Sequence, residues 1–102
     1  MVHLIVIICN NGNADLVMSE AKAAGARGGT ILHARGSADQ NTVQFIGITI
    51  QPEKEMVLIL TTDEDKNNIM KSVNAKLGPG TEAHAVCFSL PVDGLMGVQL
   101  ER

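Results

Sequence analysis

The chain has 102 residues, a formal charge of −3 and 45% hydrophobic residues, yet Phe45 and Phe88 are its only aromatics. That length suits one domain whose core is built from Ile, Leu, Val, Met and Ala. Without aromatic platforms or a Lys/Arg run, nucleic acid is excluded as a partner.

Val2 to Cys9 is an unbroken aliphatic run of strand length, the pattern of a central strand covered on both faces. It is too short to span a bilayer and lacks the basic start of a signal peptide, so the chain is expected to stay in the cytoplasm and outside the membrane. Asn10-Asn11-Gly12-Asn13 reads as a turn with Asn13 as helix N-cap. Residues 14–24 are helical, with Leu16, Val17, Ala21 and Ala24 on one stripe, and Gly25 sits at the C-terminal cap. Thr30 to Arg35 alternates, Ile31, His33 and Arg35 opposing Thr30, Leu32 and Ala34.

Gly36 to Thr42 is a polar loop. The chain turns β again at Val43, through Phe45, Ile46, Ile48 and Ile50, until Pro52 breaks the ladder. Glu53 to Leu60 is a further strand. A helix starts near Thr62, where Thr62 and Asp65 resemble a capping box. Its face is Ile69, Val73 and Leu77, and Gly78-Pro79-Gly80 stops it. Ala83 to Leu90 is the last strand, and Pro91 leads into a short tail.

The order β-α-β-β-α-β specifies an α+β, ferredoxin-like domain: a four-stranded antiparallel sheet with both helices on one face. Leu4, Val6 and Ile8 oppose Ile5, Ile7 and Cys9 along the first strand, so the strands are apolar on both sides. The face without helices therefore needs cover, and self-association supplies it most simply.

Three stretches then resemble the PII signalling family. GGTILHARG is similar to that family's Gly-x-Thr approach to the second strand, with a basic residue and glycine leading into a long mobile loop. Pro52 with EKEMVLILTTDED resembles its third strand and acidic helix start. LGPG at 77–80, with a last strand ending Leu90-Pro91-Val92, resembles its short glycine loop and final strand. The resemblance covers nearly the whole chain in order.

The resemblance implies a homotrimer with the open sheet faces at its centre and adenine-nucleotide clefts between subunits. It places Gly28, Gly29 and Thr30 near the adenine, Leu58 and Leu60 beside the base, and Arg35, Gly36 and Ser37 at the base of a loop at about 36–44. Gly78 and Gly80 would offer backbone N–H groups to phosphate from the other subunit. The family's Gly-Asp-Gly-Lys is here Gly78-Pro79-Gly80-Thr81-Glu82, and PVDGLMGVQLER carries only Arg102 where the family places several arginines. ATP, ADP or AMP is the expected ligand class, with no tightly bound cofactor, and these losses favour a mononucleotide or another less charged ligand. The loop is shorter than usual, and without tyrosine it cannot be uridylylated there.

Each residue also has a plain structural reading. Gly25, Gly28 and Gly29 serve equally as a helix cap and packing glycines, and Arg27 reads as a solvated charge. Arg35 reads equally as a surface ion pair. His3, His33 and His84 lie on separate strands without metal-ligand spacing and read as solvent-facing or interfacial, so no metal is expected. Ser37 and Ser89 lack a base, and Asp39 with the acids at 63–65 reads as loop and cap charge, so no catalytic residue is assigned. Met18, Met56, Met70 and Met96 read as core or interface filler, and Cys9 and Cys87 as buried thiols.

The function expected is a non-enzymatic regulatory sensor in nitrogen signalling. It binds a small metabolite and engages a partner, such as a membrane transporter or metabolic enzyme, through the 36–44 loop. The alternatives are a CutA-like trimeric metal-tolerance protein, whose strands are richer in aromatics, and a small ferredoxin-fold hydrolase. That hydrolase needs an arginine after the first strand, where this chain has Asn10-Asn11-Gly12-Asn13.

Overall fold

The computed structural model describes residues 1–37, 43–45, 48–50 and 53–100, with β3 and β4 described by their backbone alone. The elements are β1 (Val2–Asn10), α1 (Ala14–Ala23), β2 (Thr30–Arg35), β3 (Val43–Phe45), β4 (Ile48–Ile50), β5 (Glu53–Thr62), α2 (Asp63–Leu77) and β6 (Val86–Val92). Four strands form one antiparallel sheet in the order β2-β5-β1-β6, and β3 pairs with β4 in a separate ribbon. This is the ferredoxin-like arrangement.

Period-two alternation sorts the sheet residues. Ile5, Ile7 and Cys9 of β1 and Val57 and Ile59 of β5 face the helices, where they meet Ala14, Val17, Met18 and Ala21 of α1 and Ile69, Val73 and Leu77 of α2. The α1 stripe differs from the expected one. Leu16 is 53% exposed and Met18 takes its place in the core.

The helix ends also depart from expectation. Asn13 is the N-cap of α1 but its side chain makes no cap bond. Instead Glu55 Oε1, reaching over from β5, accepts from Gly12 N at 2.8 Å and Ala14 N at 2.9 Å. Thr62 likewise caps α2 by position without a side-chain bond. At the end of α1, Gly25 N donates to the Lys22 carbonyl and Ala26 N to that of Ala21, a Schellman pair closed by Gly25 at φ +122°.

β6 begins at Val86 rather than Ala83, because His84 at φ +45° breaks the extended path. It then runs through Pro91, which an edge strand tolerates because its missing N–H faces away from the ladder. Pairing of β2 with β5 stops at Arg35↔Glu53. The β3–β4 ribbon falls in sequence between these two paired ends. Residues 38–42, Ile46 and the break expected at Pro52 lie outside the described residues.

β1 is central, but within one chain only its helix-side face is fully covered. On the other face Leu32, Val86, Phe88 and Leu90 are 42%, 51%, 43% and 48% exposed, joined by half-buried Leu4, Ile8, Met56, Leu58 and Leu60.

Candidate functional site

The Schellman turn at Gly25 releases the chain into Arg27-Gly28-Gly29, which meets β5 where β2 begins. The register pairs Thr30 with Leu58 and Leu4 with Leu60, placing these side chains together on the face without helices. Gly29 lies so close to β5 that a Cβ there would sit 2.8 Å from the Leu58 carbonyl oxygen and 2.9 Å from Met18 Sδ. Gly28 has nothing within 4 Å of that position.

A cleft of about 470 Å³ opens here, within the usual range for small-molecule sites. Gly28, Gly29, Thr30, Leu58 and Leu60, all singled out in the sequence, line it. Leu4, Arg27, Val98 and Leu100 complete the lining. Arg27, read as a solvated charge, is exposed but also lines the cleft, the one charged side chain to do so among the described residues, and its Nη1 donates to the Gln99 carbonyl oxygen at 3.2 Å. Leu4 was legible from strand alternation once its register was known. No local pattern marks Val98 or Leu100, which arrive only because the tail folds back.

The other named residues lie elsewhere. Arg35 ends β2 opposite Glu53, five residues along the strand from Thr30 and so about 16 Å away. Gly36 and Ser37 follow it. Gly78 and Gly80 sit beyond α2, whose 15 residues span about 22 Å. There Gly78 N donates to the Asn74 carbonyl, and Gly80 adopts φ +86°. A second groove of about 380 Å³ beside them is lined by Met70, Lys71, Asn74, Pro79, Ala85, Val86 and Cys87.

His3 departs from the solvent-facing reading. It is buried and its Nε2 bonds Asp63 Oδ1, while the N-terminal amine lies 3.1 Å from Asp63 Oδ2. The His3 bond, and then the amine, hold the Asp63 carboxyl below its ordinary range. His33 and His84 are exposed. Among the described residues no three His, Cys, Asp or Glu side chains gather as metal ligands. Burial raises the thiol pKa of buried Cys9 and half-buried Cys87, with the Glu55 charge adding to the effect at Cys9. That opposes the thiolate form a nucleophile needs. Met18 is in the core and Met70 packs against it, whereas Met96 is 96% exposed. No helix among the described residues is long and apolar enough to cross a membrane.

The model of the family described as nitrogen regulatory protein P-II matches residues 2–101. No curated protein matches the chain by sequence. A PII-like signalling protein of Thermus thermophilus superposes with a TM-score of 0.64 at 20% identity, over 87% of this chain and 84% of that one. The GlnK–ATP complex of B. subtilis superposes with a TM-score of 0.68 at 12% identity, over 90% of this chain and 83% of that one. At these identities the two structures speak for the fold.

Proposed function

The chain belongs to the nitrogen regulatory protein P-II family, and on that premise we propose that it is a non-enzymatic cytoplasmic regulator that binds an adenine nucleotide in clefts between the subunits of a homotrimer. The observation that carries the reading is the cleft of about 470 Å³ where Gly28, Gly29 and Thr30 meet Leu58 and Leu60. The leucines offer an apolar wall to a flat base, and the glycines allow close approach of the ligand to backbone. Gly80 of a neighbouring copy completes the site with its backbone N–H group, that of Gly78 being given to the Asn74 carbonyl. Lacking the family's lysine, it makes a weak grip on a triphosphate, so AMP or another lightly charged ligand suits the site better than ATP or ADP.

The exposed side chains of Leu32, Val86, Phe88 and Leu90 support the trimer, as an apolar patch that association would cover. Ligand occupancy then biases the 36–44 segment, which leaves the sheet at Arg35, the far end of the strand that Thr30 begins. A partner, such as a membrane transporter or metabolic enzyme, reads that segment as a shifted population. The hydrolase reading is disfavoured by Glu55, whose carboxylate occupies the Gly12 and Ala14 N–H groups that a phosphate would need after β1.

Calorimetry of the purified chain against ATP, ADP, AMP, cyclic AMP and bicarbonate, with the mass measured in the same buffer, tests the proposal. A trimer that binds a nucleotide, with binding weakened by Thr30→Ala, is the expected result. A trimer that binds none of them sinks the nucleotide assignment, and a monomer removes the inter-subunit cleft.

A further inference from the structure

The cleft is already partly filled by the chain that builds it. After β6 the tail turns at Gly97, whose φ of +92° suits glycine, and returns so that Leu100 is only 9% exposed. Leu100 lines the cleft and also closes a small cavity against Leu60, Thr61 and Thr62. One residue earlier, the Gln99 carbonyl oxygen accepts from Arg27 Nη1. The rest of the returning tail is loosely held, with Met96 96% exposed and Val98 51% exposed. Among the described residues its grip is one buried leucine and one hydrogen bond from an arginine to a neutral carbonyl.

That bond is of the kind a guanidinium exchanges readily. Arginine binds an oxyanion more strongly than a neutral carbonyl, because the charge-assisted contact is shorter and can be two-pronged. The Gln99 carbonyl oxygen therefore stands where an acceptor oxygen of a ligand would stand, and Leu100 holds apolar space that a ligand's flat body would fill.

We infer that residues 97–100 form a self-occupying strap, and that a ligand with an apolar body and one anionic group displaces it by taking Arg27 from Gln99 and the apolar wall from Leu100. The inference rests on reading the cleft as a ligand site. It makes Arg27 the residue that selects for the anionic group. It also makes the strap a regulator of affinity, since the apparent dissociation constant rises as the open fraction of the cleft falls. Binding frees the tail, giving the ligand a second readout besides the 36–44 segment.

Two measurements on the full chain test it. In calorimetry with AMP and with adenosine, Leu100→Ala is expected to tighten both by about threefold or more, as loss of an intramolecular competitor requires. Arg27→Ala is expected to weaken AMP while leaving adenosine as tight as in the wild type, or tighter. Should Leu100→Ala weaken both ligands, the tail is a wall of the site and the strap is overturned.

The second measurement needs no ligand. Thiol labelling at Leu60→Cys, read by peptide mass so that Cys9 and Cys87 are counted separately, is expected to speed up when Leu100→Ala is added. An unchanged rate overturns the strap whether or not nucleotides bind. A faster rate with no nucleotide bound to any variant upholds the strap and sinks the nucleotide reading instead.

Discussion

Glu55 and Ala14 are 41 residues apart, yet the Glu55 carboxylate on β5 takes the first N–H of α1 at 2.9 Å. The same oxygen takes Gly12 N, so one carboxylate from a strand does what a local N-cap side chain usually does. Glu55→Ala is expected to cost about 1–2 kcal/mol, the usual range for a lost cap. In a domain of this size that lowers the midpoint of thermal unfolding by several degrees, measurable by calorimetric scanning. Glu55→Gln, which keeps an acceptor oxygen, should lose less.

Asp63 links the start of α2 to His3 and to the N-terminal amine, and these contacts lower its pKa in the folded state. A depressed folded pKa stabilises the fold at every pH above the unfolded value, about 3.9, and that contribution fades as pH falls through the folded value. Wild type should therefore be more stable than Asp63→Asn at pH 7, and the gap should narrow as pH falls below about 4. The carboxylate is largely exposed, so the effect is that of a surface ion pair and small. Urea titrations of both proteins at pH 7 and pH 3 measure it. A gap that widens in acid contradicts the assignment.

Neighbouring glycines at the cleft should answer differently to the same change. A Cβ at Gly29 would press on the Leu58 carbonyl oxygen at 2.8 Å, so Gly29→Ala is expected to destabilise by about 1–3 kcal/mol. Gly28 has open space around it, and Gly28→Ala should leave the unfolding midpoint nearly unchanged. If the cleft takes a ligand against its backbone, Gly28→Ala lowers AMP affinity all the same. Paired thermal scans and calorimetric titrations separate the two roles.

Phe88 stands on the open sheet face, 43% exposed and paired with Val6. Phe88→Asp buries no new charge in the single chain but sets a carboxylate in the proposed trimer centre. Light scattering after size exclusion should show the mass falling from three subunits to one, with the far-ultraviolet dichroism retained. A variant that stays trimeric places the contact elsewhere.

What could be read from the sequence follows from range. Thr30 to Arg35 and the Ile69, Val73 and Leu77 stripe obey local periodicities, and the structure has both. Leu16 and Met18 both fit a helical stripe, and only packing of α1 on the sheet decides between them. The start of β6 was misplaced because Ala83 and Ala85 are buried like strand residues although His84 turns the backbone between them. At the cleft, the glycines, Thr30 and the two leucines were legible through family resemblance, and the register of β2 on β5 explains why they meet. Arg27 paired with Gln99, like His3 with Asp63, spans 60 residues or more, a distance at which no local pattern carries information.

One strand ties these places together mechanically. Within six residues β5 carries Glu53, which ends the β2 pairing opposite Arg35, Glu55, which anchors a helix, and Leu58, which lines the cleft. Glu53 and Leu58 are about 16 Å apart on a backbone hydrogen-bonded to a neighbour on either side. If the cleft takes its ligand as proposed, a load on the segment beyond Arg35 and a ligand against Leu58 bear on the same girder, and traction from outside and occupancy within would share one lever arm.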